Sequence, residues 1–137
     1  MTINRIGRQR ISSGSEYEAS VGYSRAVRVG NAVFVSGTTA IQDGSIVGVG
    51  DAAAQTRHIL GIIASALGQA GSSLADVVRC RIYVTDVAVW RAVAAELSQA
   101  FADIRPANTL VAVSGLVDPY MLVEIEVDAL IGSAADG

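Results

Sequence analysis

The sequence predicts an α+β domain, with a mostly antiparallel mixed sheet carrying two helices on one face. Three observations predict it. Short β-prone runs open and close the chain, two stretches of helical periodicity lie between them, and one alternating run separates those stretches. The 137 residues suit a single domain, residues 1–137, and no linker, repeat or low-complexity block divides them.

Residues 1–18 read as a polar N-terminal arm, with Ser12-Ser13-Gly14-Ser15 as a turn. Residues 26–29 and 32–36 are β-prone and flank Gly30-Asn31, a hairpin signal. Gly44, Gly48 and Gly50 punctuate the next segment, so any strand near residues 45–47 is short. From residue 51 to 70 the period changes: Thr56, Ile59, Leu60, Ile63, Leu67 and Ala70 recur at helical spacing, with Asp51 as cap and Gly71 as stop. Residues 77–85 alternate, with Val78, Cys80, Ile82 and Val84 on one face and Arg79, Arg81 and Tyr83 on the other. A second helix is expected over about 87–103, with Val89/Trp90, Val93, Leu97 and Phe101 as its apolar stripe, and Pro106 ends that unit. Residues 108–113 and 121–131 are the closing strands, joined by a turn around 115–119. If Val123, Ile125 and Val127 meet the helices, Glu124, Glu126 and Asp128 share the far face with Arg79 and Arg81. A solvated face or an ion-pair network between subunits accounts for most of those charges.

The composition is 51% hydrophobic and 17% charged, which is apolar for a small monomer and points to surface buried between subunits. A net charge of −3 and the lack of a basic stripe argue against nucleic-acid partners. No apolar run is long enough for a membrane helix, and residues 1–15 lack the apolar core of a secretion signal, so the cytoplasm is the default location. Cys80 is the single cysteine and reads as a small core residue; His58, the single histidine, reads as structural. No metal-ligand spacing exists, no cofactor is implied, and the run from Gly44 to Gly50 matches no phosphate-binding fingerprint. Trp90 and Phe101 are expected in the core, while Tyr23, Tyr83 and Tyr120 are the freer aromatics.

Three segments carry a family resemblance. They are Gly22-Tyr-Ser-Arg-Ala26 leading into Val33-Phe-Val-Ser-Gly37, Gln55-Thr-Arg-His58 through Val78, and Pro106-Ala107 with Val123-Glu-Ile-Glu126. Together and in order they resemble the RidA (YjgF/YER057c/UK114) family over about residues 19–131. The resemblance implies a chorismate-mutase-like subunit, a homotrimer built as a barrel of sheets, and a cleft at each subunit interface. It also implies hydrolysis of reactive enamines or imines, with Glu124 orienting the attacking water and Tyr23, Ser36 and Gly37 bordering the pocket. The family arginine after Pro-Ala is Asn108 here, a donor without charge, so weak activity on small imino acids is expected. Arg105 and Arg25 are the candidate replacement cations, Arg105 being paired with Glu124 as a catalytic residue and Asn108 kept as substrate-binding. Thr109 and Leu110 fill the zone where some family members hold a reactive cysteine. A trimer that binds a metabolite without turnover is the alternative, with a ribonuclease or translation inhibitor third.

Overall fold

A computed structural model describes residues 6–134. Residues 1–5 of the predicted polar arm lie outside that range. The rest of the arm is more ordered than its composition suggests. Arg8–Ile11 forms strand β1 and Glu16–Val21 forms helix α1. Ser15 caps α1 by accepting from the Tyr17 amide. Glu18 closes back on the turn before it and accepts from the Ser13 amide at 3.1 Å and from the Ser13 hydroxyl. The polar residues of the arm therefore satisfy one another, which a composition-based reading cannot foresee.

Strands β2 (Ala26–Val29) and β3 (Ala32–Thr38) form the expected hairpin, with Val29 opposite Ala32 and Gly30 in the left-handed region at φ 59°. A small separate hairpin, β4 (Ile41–Gln42) with β5 (Ser45–Ile46), occupies the glycine-punctuated segment. Helix α2 runs over Ala52–Gln69 with Asp51 as its cap, and Gly71 follows at φ 83°. A side chain at Gly71 would also collide with the Arg28 guanidinium, 2.8 Å from its β-carbon position. Strand β6 (Val77–Val84), helix α3 (Trp90–Phe101), and strands β7 (Ala107–Ala112) and β8 (Val123–Leu130) complete the chain.

The main sheet has the order β1-β2-β3-β8-β6-β7. Only β6 and β7 are parallel, linked across α3; every other pairing is antiparallel. The last strand in sequence thus lies inside the sheet, between β3 and β6. Its alternation of buried Val123, Ile125, Val127 and Ala129 with part-exposed Glu124, Glu126 and Asp128 marks the helix-covered face and the open face. The core between helices and sheet includes Ile59, Ile63 and Leu67 of α2, Val93, Leu97 and Phe101 of α3, and Val33, Cys80 and Ile82 of the sheet.

Three readings need correction. The core position at the start of β6 belongs to Val77, and Val78 is exposed, because a bulge sets Val77 opposite Ala129 but Arg79 opposite Asp128. The extra residue changes the parity of the strand. The second helix is shorter than expected: a 3-10 turn covers Val87–Val89 and the α-helix ends at Phe101. Trp90, at its first turn, is 42% exposed and stacks under the Arg91 guanidinium, 4.7 Å from the ring centre, instead of joining the core.

Candidate functional site

The open face of β8 presents a carboxylate with no ion-pair partner among the described residues. Glu126 and Asp128 are engaged by Arg81, at 3.9 and 3.4 Å, and Glu126 also accepts from the Tyr83 hydroxyl. Glu124 lies beyond their reach, opposite Tyr83 near the start of β8. Burial pushes its carboxyl above the ordinary carboxylate value; the Arg25 charge pulls it back down, and Glu126 adds to the rise.

A bulge on β3 places the other residues. Val35 faces Val127 but Thr38 faces Ile125, so three steps on β3 match two on β8. Gly37 falls inside this irregularity and lies against Glu124. A β-carbon there would sit 3.0 Å from both Cδ and Oε2 of the carboxylate. A glycine is therefore needed for the carboxylate to occupy this place. The Ser36 hydroxyl donates to the Ser24 carbonyl at 2.6 Å and the Ser36 amide to the Arg25 carbonyl at 2.9 Å. These bonds fasten residues 24–25 beside the bulge. Arg25 Nη2 then donates to the Gly37 carbonyl at 2.6 Å, with its guanidinium 5.8 Å from the centre of the Tyr23 ring.

The β3 bulge thus brings Ser36 and Gly37 beside Glu124, with Arg25 bonded to Gly37 and the Tyr23 ring next to Arg25. Arg105 and Asn108 do not join them within one chain. Asn108 pairs with Cys80, which pairs with Val127, so it shares the helix-covered side while Glu124 is on the open side. Three residues along and two strands across put their Cα atoms about 14 Å apart. Arg105 borders a separate cavity of about 390 Å³ with Asp103, Pro106 and Ser133, at the far end of β6 and β7. It caps α3 by donating its amide to the Phe101 carbonyl, and does so at φ 54°, a left-handed conformation.

A larger cavity, about 800 Å³, follows the exposed side of α2 past His58 and Ser65; of the residues around Glu124, only Arg25 borders it. His58 is half-buried there. Cys80 is fully buried, and burial together with Asp128 pushes its thiol up to about 12, so it is inert as a nucleophile. No cluster of three or more potential metal ligands occurs among the described residues. No helix among them is long and apolar enough to cross a membrane.

One important residue carries no obvious signal in the sequence. Gln55 is fully buried in α2; its amide nitrogen donates to the carbonyls of Gly48 (3.1 Å) and Tyr120 (2.9 Å), and its oxygen accepts from the Leu122 amide (2.9 Å). It anchors the approach to β8 and so sets where Glu124 emerges. Its place on the core side of the helical stripe was the available clue.

Comparison with known proteins agrees with this fold. The family described as Endoribonuclease L-PSP matches residues 13–131. The crystal structure of Rv2704 from Mycobacterium tuberculosis, a member of the YjgF/YER057c/UK114 family, superposes with a TM-score of 0.83 at 54% identity, covering 91% of this chain and all of that one. The Streptomyces coelicolor protein SCO2049 is 35% identical over 125 residues, 91% of this chain and 93% of its own. The 3-aminoacrylate deaminase RutC of Acinetobacter baylyi is 42% identical over 104 residues, 75% of this chain and 82% of its own. With the closing motifs on a shared α+β frame, the chain belongs to the YjgF/YER057c/UK114 (RidA) family.

Proposed function

We propose that the protein is a hydrolytic deaminase of small imines or enamines, working at clefts between the subunits of a homotrimer. The observation that carries this reading is the state of Glu124: a half-buried carboxylate, without an ion-pair partner among the described residues, seated over a glycine and with its pKa raised by burial. Such a group is suited to hold and activate water. The water oxygen bonds to the imine carbon as Glu124 takes a proton. The C=N bond becomes a C–N single bond. Glu124 returns the proton to nitrogen, then takes the new hydroxyl proton and passes it to the same nitrogen as the C–N bond breaks, so that ammonia leaves and a carbonyl remains. Similarity to a 3-aminoacrylate deaminase supports the reaction class.

A homotrimer belongs to the same proposal, and the separation of two of its cleft residues supports more than one copy at each cleft. The far separation of Asn108 and Glu124 in one chain means they can line one cleft only if different copies supply them. The test is ammonia release from imines made in place by an amino-acid oxidase. The wild-type protein accelerates release and Glu124→Gln loses at least about 100-fold, the lower range for a general acid–base group. Equal rates for the two proteins would remove Glu124 from the reaction; no acceleration over buffer by the wild type would remove the reaction itself.

Asn108 favours a second reading, a trimer that binds a metabolite without turning it over, because the charge expected after Pro106-Ala107 is missing. Thermal-shift screening with small carbonyl compounds separates the two, and imine hydrolysis that appears only in Asn108→Arg would assign the wild type to binding. An RNA substrate, which the family's description suggests, is disfavoured by the net charge of −3 and the three carboxylates on the open face.

A further inference from the structure

We infer that Arg25 is the specificity residue of the Glu124 site, recognising a carboxylate on the substrate in place of the cation missing at Asn108. The inference rests on the site proposed above and adds to it which end of the substrate is held, and by what.

Four observations carry it. Arg25 and Glu124 share Gly37 as a neighbour, the one bonded to its carbonyl and the other packed where its side chain would be. The guanidinium is therefore beside the carboxylate without being neutralised by it: no ion pair within 4.0 Å involves Arg25 among the described residues. Its hydrogen bonding is incomplete. A guanidinium has five N–H donors; among the described residues only Nη2 has a protein acceptor, and Nε is out of contact with solvent and unpartnered. An unpaired buried donor is costly and marks a place for an acceptor. Finally, the Tyr23 ring, its centre 5.8 Å from the guanidinium, holds that group from one side.

A carboxylate set across the two Nη atoms would take up donors left without a protein acceptor, in the fork geometry guanidinium favours. Partial desolvation, which also lowers the pKa of Arg25, strengthens the attraction. In a 2-imino acid the reacting carbon is bonded directly to that carboxylate. Holding the anion on Arg25 therefore presents the imine carbon to water on Glu124. A purely structural role, bracing the Gly37 carbonyl, needs only one donor and no charge.

The two roles separate in Arg25→Gln, which keeps a donor for Gly37 and removes the charge. Calorimetry with 2-oxobutanoate and its methyl ester, on the assembled protein, reads the difference. The wild type is expected to bind the acid at least about tenfold more tightly than the ester, the lower end for a charged hydrogen bond. Arg25→Gln loses that preference and leaves ester binding in place, Arg25→Lys keeps most of it, and with imino acids Arg25→Gln raises KM more than it lowers kcat. Acid preference surviving in Arg25→Gln overturns the inference. So does a wild type that binds both ligands equally, which decides the matter even if Arg25→Gln melts early. Acid preference lost in Arg25→Gln without ammonia release by the wild type leaves Arg25 as the anchor and defeats the deaminase reading alone.

Discussion

Gly37 and Glu124 form a pair in which the smaller residue sets the chemistry of the larger. With 3.0 Å between a would-be β-carbon and the carboxylate, Gly37→Ala must push Glu124 aside. Gly37 has an ordinary negative-φ backbone, so alanine brings little backbone strain. Deaminase activity is expected to fall at least about tenfold, the scale of a misplaced catalytic group, while the melting temperature stays within a few degrees. Loss of stability in step with activity would mean a general packing defect instead. Glu124 also predicts a pH dependence. Its folded pKa is raised above the ordinary 4.5, so kcat/KM should climb with pH through a limb centred above that value, and Glu124→Gln should lack it. For stability the sign is opposite. The neutral acid's contribution is complete below the unfolded pKa and is lost as pH rises through the raised folded pKa. Denaturation of wild type and Glu124→Gln should therefore diverge as pH rises, with the variant gaining; a constant difference would show an unshifted carboxyl.

Two bulges and one strained junction account for how the elements present their side chains. The bulge in β3 swings Gly37 under Glu124, and the bulge in β6 turns Val78 outward. Each adds a single residue, and each reverses the parity on which strand reading depends. The junction from α3 to β7 turns on Arg105, a non-glycine residue held at φ 54° just before Pro106. That conformation costs a non-glycine residue roughly 1–2 kcal/mol. Arg105→Gly is expected to hold or raise stability by up to about 1 kcal/mol, which thermal melting checks. A clear fall would show that the Arg105 side chain makes contacts outweighing the strain. Activity of the same variant tests whether the far end of β7 serves a neighbouring subunit's cleft.

At the scale of the whole molecule, the open sheet face holds both charge and uncovered apolar surface. Phe34 and Leu130 are 49% and 45% exposed beside the Arg81, Glu126 and Asp128 network. Surface of that kind on a chain with so little charge suits burial between copies. Sedimentation should give three times the mass of one chain, and Phe34→Asp should shift the population toward single chains with a lower melting temperature. A single-chain mass for the wild type at micromolar concentration would contradict a cleft built from two subunits.

The α+β class, the core stripes of α2 and α3, the Gly30-Asn31 hairpin and the outward placement of Glu124 were all legible in the chain. They depend on period and turn chemistry, which are local properties. Tertiary structure decided that β8 lies between β3 and β6, that Arg25 meets Glu124 across Gly37, and that Asn108 and Arg105 do not. Those outcomes depend on pairing between segments distant in sequence and on single-residue bulges in that pairing. One inserted residue moves every side chain after it to the other face, and no local pattern records which strand will absorb it.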